Sequence, residues 1–147
     1  MPAKMSLYEQ DFYAWSQEQA ALLRAGKASE ADLKNIAEEI ESMGKTEKRE
    51  LINRLTVLLL HLVNWRFQPM MRGRSWRLSI EGQRLDIRDL LDDNPSLRSV
   101  FDQSIGQAWR RALIEAEKET GLDASSFPAA CPWGMESILS DDFWPEG

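Results

Sequence analysis

The chain has 147 residues, 43% of them hydrophobic and 29% charged, with six tryptophans and a net charge of −6. A chain so rich in large apolar groups can offset its ordering entropy by burial, which excludes a disordered protein and predicts one packed domain over residues 1–147. Its lone cysteine, Cys131, excludes an internal disulfide and every multi-cysteine zinc pattern.

The first ten residues, MPAKMSLYEQ, hold neither an apolar run nor a small-residue cleavage site, so no secretory signal is expected and the cytoplasm is the expected compartment. A first helix is predicted from Ser6, whose spacing to Glu9 matches a capping box, to about Ala25. Tyr8, Phe12, Trp15, Leu22 and Leu23 fall near one face of it, interrupted by Gln19, and this aromatic face is expected to look inward. Gly26 supplies a left-handed ending.

A second helix is predicted to start at Ser29, with Leu33, Ile36, Ala37, Ile40 and Met43 as its stripe and Gly44 as its stop. Thr46 then caps a third helix that reaches Phe67 before Pro69. The short link between these two predicts antiparallel packing. Within the third, RLTVLLLHLVNW (residues 54–65) is apolar almost all round, so it should be sheathed by other helices and form the hub of the fold. At about a dozen residues, and containing Thr56, His61 and Asn64, it is too short and too polar to span hydrocarbon, which needs roughly 18 or more.

The basic connector QPMMRGR leads to a fourth helix from about Ser75 to Asp93, with Trp76, Ile80, Ile87, Leu90 and Leu91 near one face. Arg77, Glu81, Arg84 and Arg88 lie opposite at spacings of three and four, the pattern of an ion-paired solvated surface. Asn94 and Pro95 carry the start of a fifth helix that stops at Gly121, with Ser104, Ala108 and Ala112 small enough for close helix approach. The remainder is rich in helix breakers yet keeps Phe127, Trp133, Ile138, Leu139, Phe143 and Trp144, so it should wrap back on the bundle with a short helix near Trp133 to Leu139. Cys131, in AACPWG, has no neighbouring base and reads as a packed thiol.

Several segments together match a known pattern: LYEQDFYAW at 7–15, IAEEIESMGKTEKREL at 36–51, RLTVLLLHLVNW at 54–65, RSWRLSI at 74–80, NPSLR at 94–98, and the closing FPAACPW and ILSDDFWP. In this order they give the chain nearly full-length resemblance to the bacterial family called domain of unknown function twenty-nine. The resemblance implies a small all-helical bacterial protein and carries over no activity, cofactor or catalytic residue.

Two constellations carry candidate chemistry. Glu39 and Glu41 flank the second helix's stripe, from which they could meet His61, Arg74 or Arg77 in a cluster able to bind an anion or move a proton. The structural alternative is an ion-pair network pinning three helices. His61 has Val57, Leu58, Asn64 and Trp65 at helical neighbour positions and no carboxylate there, so a buried imidazole held by one polar partner on another helix is expected, and no metal.

The second is a basic stretch, 65–88, where Arg66, Arg72, Arg74, Arg77, Arg84 and Arg88 outweigh two acids to give +4, whereas 115–147 carries −7. Arginines beside Trp65 and Trp76 suit single-stranded nucleic acid, which the net charge of −6 opposes. The favoured role for this stretch is contact with the acidic tail, within the chain or across a subunit boundary. No nucleophile paired with a base, glycine-rich phosphate loop or paired histidines occurs, and no cofactor is expected. The sequence therefore points to an all-α bundle of about five main helices serving as a noncatalytic interaction or self-associating module. The alternatives are a ligand-binding protein or enzyme using the Glu/His/Arg cluster, and nucleic-acid binding through 66–88.

Overall fold

The computed structural model describes residues 6–146. It is an all-α helical bundle: α1 (Leu7–Gln10), α2 (Phe12–Arg24), α3 (Leu33–Phe67), α4 (Arg74–Asp93), α5 (Phe101–Thr120) and α6 (Met135–Leu139), with no strand among the described residues. Contacts divide the chain into two compact units, residues 1–46 and 47–147. None of the described helices is long and apolar enough to cross a membrane.

In the N-terminal unit Ser6 caps α1 as its spacing predicts, accepting from the Glu9 amide at 3.4 Å. The first helix is not continuous, however. Asp11 leaves helical geometry (φ −150°, ψ 87°) and accepts from the Ala14 amide at 3.0 Å, ending α1 and capping α2. Gly26 closes α2 at φ +74°, the left-handed conformation expected of it.

The inward aromatic face needs a larger correction. Trp15 is buried, its indole donating to Asp32 Oδ2 at 3.1 Å, while Phe12, Tyr13 and Leu23 stay exposed. Gln19, which interrupts the face in sequence, is buried because its Oε1 accepts the Asp32 amide at 2.6 Å. Asp32 thus ties α2 to the start of α3, and its carboxyl is held below the ordinary range by the Asn35 side chain first and the Trp15 indole second. Few large side chains find cover in this unit: Leu33, Ile40 and Met43 are 55%, 64% and 68% exposed.

The predicted stop at Gly44 and the antiparallel pairing of a second and third helix do not occur, because one helix of 35 residues, α3, runs from Leu33 to Phe67. Gly26 and Gly121 are the positive-φ residues of the described chain, so Gly44 keeps right-handed backbone and offers no Schellman ending. Thr46 does not cap; its hydroxyl donates back to the Ser42 carbonyl at 3.0 Å, four residues earlier, as it does inside a helix. A glycine flanked by good helix formers is tolerated there at a cost of about 1 kcal/mol.

The C-terminal unit holds the core. Leu51, Leu55, Leu58, Leu59, Leu62 and Val63 of α3 are fully enclosed, joined by Ile80, Ile87 and Leu91 of α4 and by Phe101, Ile105 and Trp109 of α5. Ser104, Ala108 and Ala112 are buried, so the small stripe of α5 faces the core. The fifth helix begins later than predicted. Asn94 spends its side chain on the Leu90 carbonyl at 3.2 Å, and residues Pro95–Val100 form a 3₁₀ segment before α5 starts. Gly121 ends α5 at φ +74° as predicted.

Candidate functional site

The five residues of the polar cluster each have their own surroundings. Glu39, in the N-terminal unit, accepts a hydrogen bond from the Tyr8 hydroxyl, and Glu41 faces Lys45 one turn on at 3.8 Å with both side chains exposed. The carboxylate pushes the Tyr8 phenol up to about 12, chiefly through that hydrogen bond, since a phenolate could no longer donate it.

In the C-terminal unit His61 is half-buried rather than enclosed, and its Nδ1 lies 2.8 Å from the Val57 carbonyl of its own helix, not from a partner on another. Counted at three and four residues, Arg54, Val57 and His61 share an edge of the hub that is not fully covered, which accounts for its exposure. Arg77 pairs with Glu81 at 3.1 Å on the surface of α4, and Arg74 is exposed at the first residue of that helix. No hydrogen bond or ion pair joins His61, Arg74 and Arg77 to one another among the described residues, and no group of three metal-binding side chains occurs there.

The arginines of the basic stretch form the most developed polar arrangement in the molecule. The face carrying Arg77, Glu81, Arg84 and Arg88 is solvated at its first half and covered at its second. Arg84 is fully buried: its Nε donates to the Ile138 carbonyl at 2.8 Å and its Nη2 to the Phe143 carbonyl at 2.6 Å. The remaining Nη1 has no oxygen partner, and the Trp144 ring, 5.3 Å from the guanidinium carbon, offers its π face instead.

Four residues on, Arg88 donates to the Leu139 carbonyl and to Asp141 Oδ1, both at 2.9 Å. From the connector, Arg72 donates to the Trp65 carbonyl at 2.6 Å and reaches the Pro145 carbonyl at 3.5 Å, its guanidinium 5.4 Å from the Trp65 ring. The aromatic rings close around these groups, Trp65 on Trp144 at 4.7 Å and Trp133 between Trp109 at 5.7 Å and Phe143 at 5.8 Å.

The basic stretch does meet the tail within the chain, but mainly through backbone carbonyls, with Asp141 as the carboxylate contact. The reason is local. A tail whose one helix has five residues leaves many carbonyls without amide partners, and guanidinium forks supply the donors that regular structure would have supplied. Burial pulls the Arg84 pKa below the ordinary arginine value, yet a guanidinium that gives so many hydrogen bonds stays charged. Of the other members, Arg66 stacks 5.0 Å from the Phe67 ring.

Two residues escaped the sequence reading as a pair. Asn64, noted there as a polar break in the hub, is buried and donates to Glu119 Oε2 on α5 at 2.8 Å. The signal was one polar side chain in an apolar run, which must find a partner somewhere. Cys131 is half-buried as a packed thiol; burial pushes it up, and its Sγ lies 3.4 Å from the Trp133 carbonyl.

A family model described as domain of unknown function DUF29 matches residues 7–144 of the chain. No curated protein and no solved structure matches it.

Proposed function

The chain belongs to the family described as domain of unknown function DUF29, and from that premise we propose that it is a noncatalytic module that pairs with a second copy of itself through its N-terminal unit, in the cytoplasm. The observation that supports this reading is the apolar stripe of α3 left open to solvent, Leu33, Ala37, Ile40 and Met43, in a unit that also exposes Phe12 and Tyr13. A unit this small gains too little from one buried tryptophan to offset its ordering entropy, so a second surface is needed to cover it.

A copy of the same helix fits the stripe in antiparallel sense. Lys34 and Glu41 stand seven residues apart on one edge of it, so the pairing axis falls near Ala37 and each Lys34 meets the other copy's Glu41. Ala37 at the crossing lets the helices approach closely. Half of the basic stretch is not free for a polyanion partner in this reading, because Arg84 is enclosed, Arg72 donates to the Trp65 carbonyl and Arg88 is engaged with the tail. Hydrogen exchange tests the proposal. Amides of residues 33–46 should gain protection as protein concentration rises while those of 51–63 do not change, and concentration-independent exchange would remove it.

A further inference from the structure

Asn64 sits in the last turn of α3 and is 2% exposed. Its Nδ2 donates to Glu119 Oε2, and its Oδ1 is buried with no partner. An ionised carboxylate accepts and never donates, so the amide must turn its nitrogen toward Glu119. The orphaned oxygen is therefore dictated by chemistry, and a buried acceptor without a donor costs stability.

Both residues line a cleft of about 210 Å³, with Gln68, Met71, Trp76 and Thr120. Thr120 is already committed, donating to the Ala116 carbonyl and accepting from the Leu122 amide. The cleft thus offers the Glu119 carboxylate and the Gln68 amide, with Asn64 Oδ1 buried in its wall, beside an indole and a thioether. Helices α3 and α5 both end nearby, at Phe67 and Thr120, and helix C-termini carry partial negative charge. Such a site favours a ligand that is rich in donors, positively charged and apolar behind its head.

We propose that this cleft binds a small organic cation, a primary ammonium or guanidinium group on a short aliphatic stem. The cationic head donates to Asn64 Oδ1 and to the Glu119 carboxylate, and the stem lies against Trp76 and Met71. The volume is below the roughly 300–1,000 Å³ of drug-sized sites, which limits the stem to a few carbons.

The test is an NMR titration of the ¹⁵N-labelled full chain with n-butylammonium chloride, butylguanidinium chloride and n-butanol, following the Asn64 side-chain amide and the Trp76 indole N–H. The cations should shift both resonances saturably, with a dissociation constant on the order of millimolar, and butanol should bind at least about tenfold more weakly. Glu119→Gln, at an exposed position, should weaken the cations by about tenfold or more, read at the Trp76 indole because the substitution removes the Asn64 amide's own partner. Met71→Lys, also exposed, should abolish the saturable shift by placing a fixed ammonium at the mouth. The proposal is overturned if neither cation gives a saturable shift, if butanol matches them, or if both variants bind as the parent does.

Discussion

The guanidinium of Arg84 lies 5.3 Å from the ring of Trp144 while donating to the carbonyls of Ile138 and Phe143, so a single charged side chain with no solvent exposure holds both ends of the segment it is buried under. A charge so placed is stable only while its partners stay, and the tail is ordered only while the charge stays.

Arg84→Ala should therefore destabilise the protein by about 3 kcal/mol, since two charge-assisted hydrogen bonds are lost and two carbonyls are left without donors. Urea denaturation measures this. Limited proteolysis should show cleavage between 138 and 146 in the variant before any cut in α3. Arg84→Lys should recover less than half of the loss, because a point-like ammonium cannot span both carbonyls.

Gly44→Ala should stabilise the protein by about 0.5–1 kcal/mol, since alanine is the better helix former and a Cβ at this position meets nothing within 4 Å. Thermal unfolding followed by circular dichroism checks the sign. A helix ending at Gly44 in left-handed geometry would give the opposite result, so one substitution separates a continuous α3 from a hairpin.

The hub was legible in the sequence because an all-round apolar run has one physical solution, enclosure, and Leu55, Leu58 and Leu62 are enclosed. The caps at Ser6 and Gly121 were legible because each is a local decision of a few residues. Gly44 misled because the same residue serves a helix end or a helix interior, and φ is not written in the chain. The stripe from Leu33 to Met43 misled more instructively: periodicity says which side is apolar, and nothing in it says that a partner from the same chain is there. Arg84 and Arg88 carried the spacing of a solvated face, and what separates them from Arg77 is the tail, some fifty residues away, whose bare carbonyls have no sequence signature.

The Tyr8 phenol should titrate at about 12, observed by tyrosinate absorbance in a Tyr13→Phe background. Glu39→Gln should bring it back toward the ordinary value of about 10. Because the folded value is the higher one, the contact's contribution is full below about pH 10 and is lost as pH rises through 12. An unchanged titration in Glu39→Gln would show that the hydroxyl and carboxylate do not meet.

Cys131 should react with a disulfide reagent at pH 8 roughly tenfold more slowly than a free thiol, as burial raises its pKa and hinders approach. In denaturant the difference should vanish. Fast modification of the native protein would mean that the segment around Trp133 is not packed.

The open stripe of α3 is tested most directly by sedimentation equilibrium of the full chain beside Ile40→Glu, a change at an exposed position. The parent should reach twice the monomer mass as concentration rises, and Ile40→Glu should stay monomeric with unchanged helical circular dichroism. A parent that remains monomeric at the highest concentrations, or a variant that dimerises as the parent does, would contradict self-pairing through this face.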